Sequence, residues 1–308
     1  MSTVVLVNAR HEPELEAMLD DVPEGVELRF LPLDEAVPRN EGRLVGKAPP
    51  LRDHLSGVEV LVGSIGENDF PHADSLKWIQ LLSIGAEGHM YPALKESDVI
   101  LTNTKENSST HLSEQAFALL LSLTRRIREQ HEHMKDKTWK RISCEEISDS
   151  TIGIIGMGGV GKAVALRAHA FGMRVLGVDI EDVEKPDFVE RIVKPDQLGE
   201  IASECDVMVS CVPSTPESHK MIDGDVFGRM KHSSYFINVS RGKVVDEDAL
   251  IEALQADRLA GAGLDVTYVE PCPPDSRLWD LPNVILTAHS AGSSQHVRPR
   301  ALQVFIDN

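Results

Sequence analysis

The first third of the chain alternates short apolar runs with polar segments. The apolar runs are TVVLVN, VELRFL, VEVLVG, WIQLLS and VILTN, which begin at Thr3, Val26, Val58, Trp78 and Val99. Runs of this length, separated by helix-capable stretches such as EPELEAML and PPLRDHL, are typical of βα units around a parallel sheet. We therefore predict a compact α/β domain that extends to about Asn103.

Two loops that follow these predicted strands are rich in glycine. They read GSIGEN, from Gly63, and SIGAEG, from Ser83. Open α/β sheets bind ligands beyond the carboxyl ends of their strands, and exposed backbone N–H groups at such a place are able to hold a small anion. We expect these loops to contribute to a binding site.

A long helical pattern follows, from about Ser109 to Asp136. Its stretch from Ala116 to Leu123 is apolar on almost every face, which a helix on the protein surface does not tolerate. We expect this helix to be buried on two sides. It lies beneath its own sheet or, as we favour from its length, partly against the second subunit of a homodimer.

The alternation of strands and helices returns in the second half of the chain. Six predicted strands carry the sequences TIGII, VLGV, VMVSCV, SYFINVS, LAGAGLDV and NVILTAH. That number is expected of a Rossmann domain with a doubly wound parallel sheet. We predict one domain over residues 104–287 and a discontinuous domain formed by residues 1–103 and 288–308, because the helix-like segment from Ser293 is too short to fold alone.

A glycine pattern lies near the start of the second domain. Gly156, Gly158 and Gly161 follow the strand TIGII in the order G-x-G-x-x-G, and an Ala-rich helical segment comes next. The first glycine permits the turn, the second lets the backbone approach a pyrophosphate, and the third lets the helix pack on the strand. The next strand ends in Asp179, which is placed to accept hydrogen bonds from an adenosine ribose. Together these features indicate dinucleotide binding.

Charge and cysteine content narrow the class of protein. The 308 residues carry a net charge of −18 and a pI near 5.1, which argues against nucleic acid or an anionic membrane as a partner. The acidic excess suits a salt-rich source, where charges are screened, as well as it suits a mesophilic one. Four widely spaced cysteines form neither a metal-binding nor a disulfide pattern. The N-terminus has no signal-peptide pattern, which favours the cytoplasm.

Three polar side chains follow predicted strands at the edge where ligands bind. Arg241 follows FINVS, Glu270 follows GLDVTYV, and His289 ends NVILTAH. A guanidinium binds a carboxylate through two parallel hydrogen bonds, and an imidazole titrates near neutrality. A carboxylate beside the imidazole orients it and favours its protonated form. The three residues therefore predict a proton-transfer site that binds an anionic substrate.

The order and spacing of these motifs resemble the D-isomer-specific 2-hydroxyacid dehydrogenase family over essentially the full chain. The resemblance is carried by GMGGVG with Asp179, CVPSTPESHKMI, NVSRG with Arg241, GLDV…EP with Glu270, and TAHSAG with His289. It implies a flavodoxin-like substrate domain formed by both chain ends, a Rossmann cofactor domain between them, and a cleft where the two meet. It also implies a homodimer that associates through the cofactor domain.

The resemblance further implies hydride transfer between nicotinamide C4 and the C2 carbon of a 2-oxo or 2-hydroxy acid. His289 resembles the family's acid/base residue, Glu270 the residue that holds its imidazole, and Arg241 the residue that binds the substrate carboxylate. The N–H groups of Ile84 and Gly85 would hold the other carboxylate oxygen. The implied contacts of the NAD(H) cofactor are Gly156, Gly158, Gly159, Val160, Gly161, Asp179, Pro213, Thr215, Val239 and Asp265.

Some of these cofactor contacts have particular implied roles. Gly159 and Val160 would meet the pyrophosphate, and Asp265 would bind the nicotinamide amide. Pro213 and Thr215 would line the adenine side. Gly159 stands where the family often has a larger polar residue, which makes the turn more pliable.

Cofactor preference and substrate are left open by the sequence. Asp179 would repel a 2′-phosphate and so favours NAD(H) over NADP(H), although Lys185 is near enough in sequence to bind that phosphate. Glyoxylate/hydroxypyruvate reductase and phosphoglycerate dehydrogenase activities are both compatible with the motifs. A corepressor-like binding protein that senses NAD is a different class with the same fold. The substrate side chain would meet the two glycine-rich loops and Trp139.

Overall fold

The computed structural model describes residues 2–8, 17–19, 24–31, 50–105 and 107–308. The chain divides into two compact units, Met1–Asn107 with Ser294–Asn308 and Ser108–Ser293. The chain passes from one unit to the other after Asn107 and again before Ser294. Both positions lie a few residues later than the predicted boundaries, 103/104 and 287/288. His289 consequently belongs to the second unit.

The first unit contains a five-stranded sheet in the order β2-β1-β3-β4-β5, and all of its strand pairs are parallel. This is the flavodoxin-like order. The strands are β1 (Thr3–Val7), β2 (Val26–Phe30), β3 (Val60–Val62), β4 (Trp78–Gln80) and β5 (Ile100–Thr102). Each lies inside one of the five predicted apolar runs. Most of the predicted helical stretch EPELEAML, residues 12–16, lies outside the described residues.

Short helices and one long helix accompany this sheet. The C-terminal helix Val297–Asp307 buries Ala301 and Leu302 and brings the ring of Phe305 to 5.4 Å from that of Trp78. The predicted return of the chain end to the first unit is therefore seen. The other helical elements are the 3₁₀ turns Leu51–His54, Phe70–His72 and Glu87–His89 and the helix Pro92–Lys95.

The second unit contains a seven-stranded sheet in the order β12-β11-β10-β9-β6-β7-β8. All of its pairs are parallel, and the order is that of a Rossmann domain with one further strand. The strands are β6 (Thr151–Ile155), β7 (Arg174–Val178), β8 (Arg191–Val193), β9 (Val207–Ser210), β10 (Tyr235–Asn238), β11 (Gly261–Leu264) and β12 (Val284–Leu286). The sequence analysis missed β8, which is only three residues long and begins with an arginine.

Helices cover this sheet and leave β6, β9, β10 and β11 buried along their length. Helix Gly159–Ala170 packs on β6 and β7. Within the described part of the chain, no helix combines the length and apolar character needed to cross a membrane. The remaining helices are Ser109–Thr124, Ile127–Lys135, Leu198–Glu204, Gly224–Arg229 and Glu247–Gln255, with 3₁₀ turns at Pro195–Gln197, Gly242–Val244 and Arg277–Asp280.

The predicted single helix from Ser109 to Asp136 is wrong as one continuous element. The structure has two helices, Ser109–Thr124 and Ile127–Lys135, and the chain turns at Arg126, whose φ of 52° is left-handed. The break follows the change in pattern, because the apolar stretch ends at Leu123 and the second helix has no buried residue.

The apolar helix Ser109–Thr124 is buried by its own unit. It packs against helix Gly159–Ala170 and against β10, β11 and β12. Ala116, Phe117, Leu119 and Leu120 are at most 5% exposed within the single chain. The apolar pattern of this helix therefore does not require a second subunit.

The close packing of this helix on β11 gives a stability test. A Cβ added at Gly263 would lie 2.7 Å from Leu119 Cβ and 3.0 Å from Ile237 Cδ1. We expect Gly263→Ala to lower the free energy of unfolding by about 1–3 kcal/mol, because the core has no room for the methyl group. Urea unfolding followed by circular dichroism measures this change.

The matched control is Gly228→Ala in helix Gly224–Arg229. A Cβ at Gly228 would meet no atom within 4 Å, so we expect no loss and a gain of up to about 1 kcal/mol from helix propensity. Equal urea midpoints for the two variants would contradict the packing described.

Candidate active site

The glycine turn between β6 and helix Gly159–Ala170 is shaped by close backbone contacts. Gly156 has a φ of 91°, and a Cβ there would lie 2.8 Å from Val212 Cγ1. A Cβ on Gly161 would lie 1.9 Å from the Gly156 carbonyl oxygen. Because these distances exclude any side chain, the first and third glycines are needed for the turn itself.

The second glycine is different, because packing does not explain it. A Cβ on Gly158 would meet no atom within 4 Å, and Gly158 is exposed. The helix begins at Gly159, so the N–H groups of Gly159 and Val160 lie in its first turn, where a helix attracts anions. An open glycine beside a helix N-terminus fits a pyrophosphate.

Asp179 directly follows β7 and is tied to the glycine turn. Its Oδ2 accepts the N–H of Met157 at 2.6 Å, and its Oδ1 accepts the N–H of Glu181 at 2.9 Å. A carboxylate has about four acceptor positions. The half-buried Asp179 therefore keeps acceptor capacity for a ligand, and its contact with a ribose diol stays a prediction.

The predicted adenine-side residues lie in the loop after β9. Ser218 holds this loop, since its hydroxyl donates to the Pro213 carbonyl at 2.7 Å and accepts the Thr215 N–H at 2.8 Å. Pro213 and Thr215 are themselves exposed. At the base of the loop, burial raises the pKa of the Cys211 thiol to about 12, so this thiol stays protonated at neutral pH and is not a nucleophile.

Val239 lies differently from the other predicted cofactor contacts. Its side chain is 2% exposed and belongs to the hydrophobic core. A cofactor contact at this position would use its main chain. Gly158, Gly159, Val160, Asp179, Pro213 and Thr215 are exposed or half-buried, whereas Gly156, Gly161 and Asp265 are buried. The accessible positions fit a dinucleotide.

His289 and Glu270 form a direct pair within the second unit. His289 Nδ1 lies 2.7 Å from Glu270 Oε2, and the two side chains are 46% and 37% exposed. The second carboxylate oxygen, Oε1, accepts the Thr267 N–H at 3.3 Å. Because Nδ1 is bonded to the carboxylate, Nε2 is the ring nitrogen left for a ligand.

Arg241 begins the 3₁₀ turn Gly242–Val244 after β10. A Cβ on Gly242 would lie 1.9 Å from the Thr267 carbonyl oxygen, so the Arg241 turn and the loop that carries Glu270 touch through their backbones. Nη1 of Arg241 donates to the Ser240 carbonyl at 2.8 Å. The absence of a side chain at Gly242 thus brings the ends of β10 and β11 together.

Asp265 holds the loop that carries His289. Its Oδ1 accepts the Thr287 hydroxyl at 2.5 Å and the Ser290 N–H at 3.0 Å, and its Oδ2 accepts the Ala291 N–H at 2.9 Å. The Asp265 carbonyl accepts the His289 N–H at 2.7 Å. Asp265 is 1% exposed, so its carboxylate has a structural role; its contact with the nicotinamide amide stays a prediction.

His289 itself has a φ of 48°. The left-handed region is uncommon for residues other than glycine, and such a conformation persists where the surroundings impose it. The bonds from Thr287, Ser290 and Ala291 to Asp265 supply that constraint.

A second buried polar network, which the sequence analysis missed, lies beneath Arg241. The hydroxyls of Ser210 and Ser240 are 2.8 Å apart. Asn238 Oδ1 accepts the Ser240 hydroxyl at 2.8 Å, and Asn238 Nδ2 donates to the Arg241 carbonyl at 3.1 Å. The available signal was the position of Asn238 at the end of a fully apolar strand, where a buried amide needs partners.

The predicted substrate-carboxylate residues lie in the first unit, in the loop after β4. Asn103 Nδ2 donates to the Ile84 carbonyl at 2.7 Å, and the Ser83 hydroxyl donates to the Gly85 carbonyl at 3.0 Å. Both carbonyls are thus fixed. Among the described residues, none accepts the N–H of Ile84 or Gly85, which leaves both donors for a ligand.

The other glycine-rich loop, after β3, is built on a close contact. Gly63 has a φ of 128°, and a Cβ there would lie 2.6 Å from the Asn8 carbonyl oxygen. Asn8 Nδ2 donates to the Ser64 carbonyl at 2.8 Å. The loop is therefore held against the end of β1.

A Rossmann sheet with this glycine turn, a carboxylate at the end of the second strand and a His–Glu pair is typical of a dinucleotide-dependent oxidoreductase. Residues 117–291 match the family described as D-isomer specific 2-hydroxyacid dehydrogenase, NAD binding domain. The chain belongs to this family. It is therefore an NAD(P)-dependent enzyme that acts on CH–OH groups, which favours the enzyme over a cofactor-sensing binding protein.

Relatives of known name agree with this assignment. A glyoxylate reductase of Korarchaeum cryptofilum is 35% identical over 82% of this chain and 77% of its own length. A glyoxylate/hydroxypyruvate reductase B of Pectobacterium carotovorum is 35% identical over 84% of each chain.

Solved structures share the fold over nearly the whole chain. A D-isomer specific 2-hydroxyacid dehydrogenase family protein from Aeromonas salmonicida has a TM-score of 0.85 and 27% identity, covering 100% of this chain and 94% of its own. D-lactate dehydrogenase of Aquifex aeolicus, complexed with NAD and lactic acid, has a TM-score of 0.76 and 28% identity, with 99% and 93% covered. An NADPH-dependent glyoxylate/hydroxypyruvate reductase of Sinorhizobium meliloti, complexed with NADP and sulfate, has a TM-score of 0.79 and 28% identity. The match covers 99% of this chain and 93% of that one.

The role of Asp265 in holding the His289 loop is testable. Asn at this position offers one acceptor oxygen where the carboxylate offers two, so some of the donors from Thr287, Ser290 and Ala291 lose their partner. We expect Asp265→Asn to speed hydrogen exchange of the 287–293 segment and to lower kcat by up to about 100-fold, because the imidazole is displaced. Exchange mass spectrometry and steady-state rates measure the two effects.

The control is Asp275→Asn, which changes an exposed aspartate of the same unit. It should alter neither exchange nor kcat. Wild-type exchange of the 287–293 segment in Asp265→Asn would show that the carboxylate does not hold this loop.

Proposed function

We propose that this enzyme reduces small 2-oxo acids of the glyoxylate and hydroxypyruvate type to 2-hydroxy acids, with His289 as the proton donor. The observation that carries the proposal is the 2.7 Å contact between His289 Nδ1 and Glu270 Oε2. It orients the imidazole and leaves Nε2 as the ring nitrogen that is free of Glu270. When bound, the reduced nicotinamide supplies the hydride that C2 of the substrate receives.

His289 completes the reduction by moving one proton. As C2 accepts the hydride, the carbonyl oxygen gains negative charge, and the proton on His289 Nε2 passes to that oxygen. The imidazole that remains is neutral, and its Nδ1–H donates a hydrogen bond to Glu270 Oε2. Oxidation of the hydroxy acid runs through the same groups in reverse, with Nε2 accepting the proton.

Arg241 and the loop after β4 bind the substrate carboxylate in this proposal. A guanidinium donates two parallel hydrogen bonds to a carboxylate, and the N–H groups of Ile84 and Gly85 donate to the other side. The first unit, which corresponds to residues 1–103 and 288–308 of the sequence prediction, then serves as the substrate domain. The second unit, predicted as 104–287, serves as the cofactor domain.

The choice of glyoxylate and hydroxypyruvate rests on the named relatives that cover most of both chains. A second candidate, 3-phosphohydroxypyruvate, is favoured by a D-3-phosphoglycerate dehydrogenase of Synechocystis that is 31% identical over 72% of this chain and 40% of its own length. Parallel assays of the three acids discriminate the two candidates.

A homodimer through the second unit and a cytoplasmic location complete the proposal. The Trp139 side chain is 102% exposed, and Ile127, Met134 and Leu166 are each more than half exposed in the same unit. Exposed apolar side chains of this size are a usual feature of subunit interfaces. The four cysteines are free thiols, which fits a reducing compartment.

His289→Gln tests the assignment of the proton donor. Gln keeps a polar side chain of similar reach but has no titratable nitrogen. We expect NADH oxidation with glyoxylate or hydroxypyruvate to slow by about 10²–10⁴-fold, while NADH binding stays within about twofold of wild type, because the glycine turn and Asp179 are unchanged. Steady-state rates and fluorescence titration of NADH measure the two quantities.

Two further variants serve as a control for His289→Gln and as a test of carboxylate binding by Arg241. His232→Gln changes an exposed histidine of the same unit and should leave the rate unchanged. Arg241→Lys keeps the charge but loses the bidentate geometry, so it should raise the KM of the oxo acid by about 10-fold or more. An unchanged rate in His289→Gln would rule out the proposed donor.

A further inference from the structure

A surface pocket lies beside the carboxylate of Asp179. Its volume is about 410 Å³, and four carboxylates line it, those of Asp179, Glu181, Asp182 and Glu184. One cation, Lys194, is among the described residues that line it. Because Asp179 is the residue placed to meet the adenosine ribose, this pocket is where a 2′-phosphate on that ribose would extend.

The position of Lys194 follows from strand pairing. Val178 of β7 lies opposite Val193 of β8, and the Asp179 N–H donates to the Val193 carbonyl at 3.0 Å. The residues that follow the two valines, Asp179 and Lys194, are therefore neighbours at the carboxyl edge of the sheet. The ammonium group of Lys194 also donates to the Ile180 carbonyl at 2.8 Å, which keeps it beside the pocket.

Lys194 already has a counter-ion. Its Nζ lies 2.7 Å from Asp182 Oδ1, and the two side chains are 47% and 98% exposed. The hydrogen bond and the charge of Lys194 lower the pKa of the Asp182 carboxyl, so Asp182 is ionised at neutral pH. A cation paired in this way offers less of its charge to an incoming phosphate than a solvated one.

Lys185, which the sequence suggested as a phosphate partner, is placed elsewhere. Its Nζ donates to the Val189 carbonyl at 2.7 Å and to the Pro186 carbonyl at 3.4 Å. It is not among the described residues that line the pocket. Among the described residues, Lys194 and not Lys185 is therefore the cation that lines this pocket.

We propose that Asp182 is a cofactor-specificity residue, which disfavours NADP(H) by occupying Lys194, the cation that would otherwise bind the 2′-phosphate. The proposal rests on the same cofactor site as the proposed function and adds which residues set its preference. Asp179 disfavours the phosphate directly, by its own charge, whereas Asp182 acts through Lys194. The preference for NAD(H) thus has two contributions. The contribution of Asp182 can be removed by mutation while Asp179 is left unchanged.

The test is a double-mutant cycle on cofactor binding. Dissociation constants for NADH and NADPH are measured by calorimetry for wild type, Asp182→Asn, Lys194→Ala and the double variant. The salt concentration is the lowest at which the wild type keeps its native circular dichroism. We expect Asp182→Asn to bind NADPH about three- to tenfold more tightly, because Lys194 becomes able to pair with the phosphate. NADH binding should stay within about twofold, since it has no phosphate at this place.

The Lys194→Ala background shows whether the tighter NADPH binding of Asp182→Asn depends on Lys194. In that background, Asp182→Asn should improve NADPH binding by no more than about twofold, the share due to removing one negative charge near the phosphate. Glu184→Gln is the charge-matched control, because Glu184 lines the same pocket and forms no ion pair within the described ranges. Glu184→Gln should improve NADPH binding by no more than about twofold, both with and without Lys194.

Two results would overturn the proposal. One is an unchanged NADPH affinity in Asp182→Asn, and the other is an equal gain in the presence and absence of Lys194. Because binding is measured without an oxo acid, either result leaves the proposed reaction untouched. Conversely, loss of the proposed substrate activity would not alter the NADH and NADPH affinities.

Discussion

The active-site edge of the second unit depends on one buried carboxylate. Asp265 directly follows β11 and accepts hydrogen bonds from donors that follow β12, at Thr287, Ser290 and Ala291. A buried charge without partners would be costly, so this set of donors and the fold of the 287–291 loop require each other. The left-handed backbone of His289 is a consequence, because the residues on both sides of it are fixed to the same carboxylate.

A close backbone contact at Gly242 connects the loops that follow the neighbouring strands β10 and β11. The contact between Gly242 and the Thr267 carbonyl joins the loop after β10 to the loop after β11, and the Thr267 N–H continues to Glu270. Glu270 then meets His289 after β12. Arg241, Glu270 and His289 follow three separate strands. A backbone contact joins the Arg241 turn to the Glu270 loop, and a side-chain contact joins Glu270 to His289. That explains how side chains at the surface of this edge keep a defined geometry.

Pattern alone predicted much of this molecule. Alternation of apolar runs placed the strands of both sheets, and the glycine spacing predicted the tight turn between β6 and the helix that follows it. The failures have physical causes. The break at Arg126 depends on one left-handed residue, which no periodicity reveals, and β8 is held by pairing with β7 rather than by its own three residues. The roles of Asp265 and Asn238 were missed because hydrogen-bond partners far apart in sequence are visible only after folding.

The pocket beside Asp179 shows most clearly why the ionic partner of a lysine cannot be assigned from sequence. Lys185 is nearer to Asp179 along the chain than Lys194 is, so proximity favoured it. Pairing of β7 with β8 reverses that order in space, since it places Lys194 beside the end of β7 while Lys185 turns to carbonyls of its own segment. The formal charge of Lys194 alone does not decide what it binds, because Lys194 already forms an ion pair with Asp182. In so acidic a protein, the number of lysines near a site matters less than which carboxylate each one has as its partner.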